Sequence, residues 1–76
     1  MSDTYELVYS NGGHGGPFHG WAYATESAKR LLLRSPTMRT VWIVPRSAPA
    51  YSAEHAIASI EKDLAGNIRF RRLQQR

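Results

Sequence analysis

Hydrophobic and polar positions alternate from the start of the chain. Over residues 4–9, Tyr5, Leu7 and Tyr9 fall on one face and Glu6 and Val8 on the other, which predicts a strand. A glycine-rich stretch follows. Asn11 to Trp21 holds five of the six glycines and two of the three histidines, and residues 10–16 read as loop. Trp21, Ala24, Ala28, Leu31 and Leu32 then recur as one stripe and predict a helix over residues 20–34. Lys29, Arg30 and Arg34 suit its C-terminal end, and Pro36 stops it. A competing reading makes residues 18–23 a second strand, closing a hairpin with the first, and lets Thr25 cap a shorter helix.

Residues 39–45 are β-branched and aromatic and apolar on both faces, the pattern of a central strand. Ser52 and Glu54 then suit a helix start. Ala53, Ala56, Ile57, Ile60 and Leu64 follow at helical spacing, and Gly66 suits the residue just past the end. Residues 68–73 give a last strand, with Ile68 and Phe70 on one face and Arg69 and Arg71 on the other. The expected order is β-α-β-α-β. It implies an α/β fold, with α+β as the neighbouring class: a three-stranded sheet, preferring parallel neighbours, with two helices packed on one face. The second sheet face, carrying Glu6, Val8, Thr40, Trp42, Val44, Arg69 and Arg71, is left bare.

Seventy-six residues make a single domain. A hydrophobic fraction of 42% with eight aromatics supports one thin core, and a domain of this size often covers a remaining apolar face by self-association. With no cysteine, disulfides, thiolate metal sites and a cysteine nucleophile are excluded, and a cytoplasmic setting is expected. No apolar run approaches the ~20 residues of a membrane-spanning helix, so no membrane partner is expected. Ten Lys+Arg against six Asp+Glu give a net charge of +4, and four of the eight arginines lie in the last eight residues. Such an excess permits a nucleic-acid or acidic protein partner without requiring either.

The glycine stretch lacks the lysine and Ser/Thr of a phosphate loop, and the dinucleotide fingerprint read from Gly13 ends in Phe18. It reads as a surface loop or a partner-binding loop, with a phosphate site ranking below both. His14, His19 and His55 have neither the spacing nor the carboxylate neighbours of a zinc site, and no nucleophile with a base and an orienting group is evident. No metal, cofactor or catalysis is expected. The bare sheet face is the better candidate, because an apolar patch around Trp42 needs cover. A protein interface would use Trp42, Arg69, Arg71, His14 and Phe18. A nucleic-acid site would use Trp42, Arg69, Arg71, Arg72 and Arg76, with bases stacked on the indole.

The layout of Gly16-Pro17-Phe18, a helix, Arg34-Ser35-Pro36 and then Val41-Trp42-Ile43-Val44-Pro45-Arg46 resembles short proteins of bacteria with GC-rich genomes and of their phages. It covers about the first 46 residues and transfers no site. The resemblance implies a phage-encoded accessory protein that binds and modulates a host factor. The expected function is therefore non-catalytic binding through protein–protein contacts by a chain that self-associates as a homodimer, with a nucleic-acid-binding module as the alternative.

Overall fold

The structure, a computed structural model, describes residues 3–73. In chain order it has β1 (Thr4–Tyr9), β2 (His14–His19), α1 (Trp21–Arg34), β3 (Thr40–Pro45), a short 3-10 turn at Ala53–His55, β4 (Ala58–Lys62) and β5 (Ile68–Arg72). The strands form one sheet in the order β2-β1-β3-β4-β5, every neighbouring pair antiparallel. This α+β fold, a five-stranded sheet with one helix, corrects the expected three-stranded sheet, its parallel pairings and its second helix. The first helix forms where its apolar stripe places it.

The second helix fails for a physical reason. Ala56, Ile57 and Ile60 satisfy helical spacing, but Ala58 and Ile60 also alternate with Ser59 and Glu61. β3, apolar on both faces, needs hydrogen-bonding strands on both sides. β4 supplies one of them, pairing Val41 with Ile60 and Ile43 with Ala58. Leu64, which a helix would have buried, is 91% exposed in the turn that follows.

Two hairpin turns share one construction. Tyr9 N–H bonds Gly13 O at 2.8 Å and Gly12 N–H bonds Tyr9 O at 2.9 Å; Asp63 N–H bonds Asn67 O and Gly66 N–H bonds Asp63 O, both at 3.0 Å. In each, a tight turn ends on a glycine at φ 96° or 90°, the left-handed position of a three-residue hairpin loop. Gly66 thus ends a hairpin turn, whereas the sequence reading made it the end of a helix.

The glycine stretch also departs from expectation. Residues 14–19 are an edge strand, and the Tyr9 ring lies across Gly13 and Gly15. A Cβ at Gly15 would overlap the Tyr9 hydroxyl and come within 2.9 Å of its ring carbon Cζ. Glycine is required there because an aromatic ring occupies the space of a side chain. Opposite Glu6, the register of β2 slips by one residue at Gly16 and Pro17.

The core lies between the sheet and α1. Tyr5, Leu7, Val41, Ile43, Ala58 and Ile60 meet Ala24, Ala28, Leu32 and Met38. Each fully buried large aliphatic side chain among them contributes about 1.5–3 kcal/mol. Lys62 Nζ donates to Leu32 O and Ser35 O at 2.6 and 2.5 Å, holding a cation against the C-terminal carbonyls of α1. The β1–β3 ladder, from Tyr5–Pro45 to Tyr9–Val41, is the one seam joining the β1–β2 hairpin to the β3–β4–β5 meander. α1 packs on strands from both sides of that seam.

Candidate functional site

One helix cannot cover five strands. α1 packs on β1, β2, β3 and β4, and meets β5 where Trp21 and Phe70 stand edge to face with ring centroids 6.0 Å apart. On this side Phe70 stays 52% exposed and Ile68 half-buried. Between α1 and the outer strands runs a groove of about 360 Å³ lined by Trp21, Thr25, Lys29, Ile60, Ile68 and Phe70. The Tyr5 ring stands edge to face with that of Trp21, centroids 5.4 Å apart.

Among the described residues the opposite face carries no helix. Cross-strand register lines up His14, Val8, Trp42, Ser59 and Arg71 in one row, and Thr40, Glu61 and Arg69 in the next. Trp42 is half-buried, flanked by Val8 and by Ser59, which is 2% exposed. Val44 shares this face but is buried, and the 3-10 turn packs against β3. The bare face is therefore smaller than the sequence pattern suggests.

Of the residues expected to form a protein interface, Trp42, Arg69, Arg71 and His14 share the open face, and Phe18 does not. Phe18 pairs with Tyr5 on the helix side, and its ring stands 5.6 Å from that of Tyr23. The register slip at Gly16 and Pro17 is the cause. His14 and Phe18 would share a face in an unbroken strand, and one extra residue turns Phe18 to the other side. The same slip brings His19 to the open side, 3.3 Å from the Thr4 hydroxyl. Of the nucleic-acid set, Arg72 sits on the helix side with Trp21, Ile57 and Leu73, and Arg76 lies outside the described residues.

Charge on the open face is mixed. Glu61 stands opposite Arg69 across the β4–β5 ladder, and the Asp63 carboxylate lies 3.8 Å from Arg69 Nε. Glu6 pairs across from Val44. Among the described residues no group of three His, Cys, Asp or Glu is placed to hold a metal ion. The Tyr5 hydroxyl is pushed up by burial and then by Asp3, and that of Tyr9 by burial and then by Glu6. The Asp63 carboxyl is pulled down, foremost by the Asn67 backbone N–H. All three move away from the neutral range where proton transfer is efficient.

Sequence reasoning missed Phe70 as a surface residue, because two helices would have covered it. Its setting, Ile68-Arg69-Phe70-Arg71-Arg72, carries no signal of exposure, because apolar residues alternating with arginine are the pattern of a half-buried strand. Among the described residues no helix is long and apolar enough to cross a membrane. No known family, curated protein or solved structure matches the chain.

Proposed function

We propose that this chain is a small non-catalytic binding protein that works by protein–protein contact along the β5 side of its sheet. The observation that carries the reading is Phe70, an aromatic 52% exposed in a regular strand, beside a groove in which Trp21, Ile60 and Ile68 are joined by Thr25 and Lys29. Aromatic and arginine side chains together at a rim-and-pocket surface are the usual anchors of protein interfaces. Trp42 and Arg71, two strands apart on the other face, extend the surface around the edge. The resemblance of the first 46 residues to short proteins of bacteria with GC-rich genomes and of their phages fits a host protein as target.

The nucleic-acid alternative has less support. Glu6 and Glu61 share the open face with Arg69 and Arg71, Asp63 sits beside Arg69, and Arg72 is on the other side. A groove for single strands needs an uninterrupted basic track with several stacking aromatics.

Wild type and Phe70→Glu, matched for fold by circular dichroism, are to be used to capture partners from an extract of the native cell. A protein retained by the wild type and lost at least tenfold with Phe70→Glu is the expected result. Equal capture by both, or oligonucleotide binding that collapses between low and moderate salt, contradicts the proposal.

A further inference from the structure

The sheet has two edges, and only one is built to accept another strand. At β2, Pro17 has no N–H to offer, and the slipped register breaks the ladder. β5 runs five residues without proline or bulge. Hydrogen-bonded pairs alternate along an antiparallel ladder. Asp63 N–H bonds Asn67 O and Leu73 N–H bonds Ile57 O, so the β5 residues turned toward β4 are Asn67, Arg69, Arg71 and Leu73. The backbone N–H and C=O of Ile68, Phe70 and Arg72 therefore point outward.

Resting on the reading of the β5 side as a protein-binding surface, we infer that the partner is an acidic, extended segment of another protein that pairs with β5 as a sixth strand. Residues facing each other across a ladder share a sheet face. Side chains of the added strand that neighbour Arg69 and Arg71 thus lie on the open face, where carboxylates complement them. Those that neighbour Ile68 and Phe70 lie on the helix side, where the 360 Å³ groove receives an apolar side chain. Lys29 and Arg72 border the same side. The ligand is accordingly a strand in which acidic and apolar residues alternate, held by backbone bonds and selected by its side chains. A second copy of this chain is a poor occupant, because β5 against β5 sets arginine beside arginine.

The probe is a fluorescein-labelled, acetylated heptapeptide alternating glutamate with valine and leucine, Glu-Val-Glu-Leu-Glu-Val-Glu, followed by fluorescence anisotropy. Two further versions carry N-methyl groups on one or the other alternate set of amides. An added strand presents only one set to β5. One methylated version is therefore expected to bind at least tenfold more weakly than the parent, and the other within about twofold. Replacing the glutamates by lysine, or using Phe70→Glu protein, is expected to weaken binding at least tenfold. Arg69→Glu with Arg71→Glu tests the charge term should Phe70→Glu prove unstable.

The inference is overturned if the parent peptide does not bind, if both methylated versions bind alike, or if an oligouridine displaces the peptide. A dimer in sedimentation that Phe70→Glu dissociates overturns it too. Failure of the peptide while cellular capture still depends on Phe70 removes the added strand and leaves the protein-binding reading in place. Capture that ignores Phe70 removes both.

Discussion

Gly15→Ala isolates the packing of a tyrosine over a glycine strand. The backbone of Gly15 is outside the left-handed region, so alanine is acceptable to the chain itself. The obstacle is the Tyr9 ring, which a Cβ would meet at the hydroxyl and at Cζ, 2.9 Å away. A rigid ring cannot bend aside and must rotate off β2. An enclosed tyrosine buries ~150–250 Å², and Tyr9 is half-buried. About 75–125 Å² is thus at stake, or ~2–3 kcal/mol at ~25 cal/mol per Å². Alanine in place of glycine in a strand returns ~0.5–1 kcal/mol. Gly15→Ala should therefore lose ~1–2.5 kcal/mol, a fall in Tm of roughly 4–20 °C for a domain of this size. The decisive assay is urea unfolding of a double-mutant cycle with Tyr9→Ala. Once the ring is gone, the alanine has nothing to strike, and adding Gly15→Ala to Tyr9→Ala should stabilise by ~0.5–1 kcal/mol. Full stability in the single variant, or losses that simply add in the double, refutes the packing argument.

Two further variants test the ends of elements. Lys62→Met keeps the aliphatic stem but leaves the Leu32 and Ser35 carbonyls without their cation; thermal unfolding should show a loss of ~1–2 kcal/mol. Asp63 accepts from the Ala65 and Asn67 N–H groups at 3.0 and 2.9 Å, and its folded pKa is lowered, foremost by the Asn67 backbone. Its stabilisation is accordingly complete above the unfolded value of about 3.9 and is lost as pH falls through the lowered folded value. Asp63→Asn should remove that acid-limb dependence in chemical unfolding followed from pH 6 to pH 2, and an unchanged slope contradicts the assignment.

Legibility in the sequence followed the strength of the local pattern. α1 carries an uninterrupted apolar stripe and a proline stop, and its position is read directly. β1, β3 and β5 alternate or are β-branched, and they too are legible. β4 is not, because Ala56, Ile57 and Ile60 fit both periods, and the choice falls to β3, whose two-sided apolar pattern demands neighbours. The turn Asp63-Leu64-Ala65-Gly66-Asn67 does not break the tie, since an aspartate three residues before a glycine suits a tight hairpin as well as a helix end. The competing reading has the hairpin with β1 but sets its second strand at residues 18–23, where α1 begins. β2 lies at residues 14–19, hidden because glycine and proline argue against a strand and the tyrosine that compensates lies on the neighbouring one. On the candidate site, alternation placed Trp42, Arg69 and Arg71 together correctly. A one-residue slip that no pattern announces separated Phe18 from His14, and the missing second helix is what uncovered Phe70.

The β1–β3 ladder divides the molecule into two ribbons, and the two-stranded one is too small to persist alone. α1 clasps both, yet the chain order makes the helix before the second ribbon exists. During synthesis, β1 waits with its inner flank open until residues 40–45 emerge. In that interval α1 has only β1 and β2 to lie on, so the helix is laid down before β3 and β4, half of the surface it will cover.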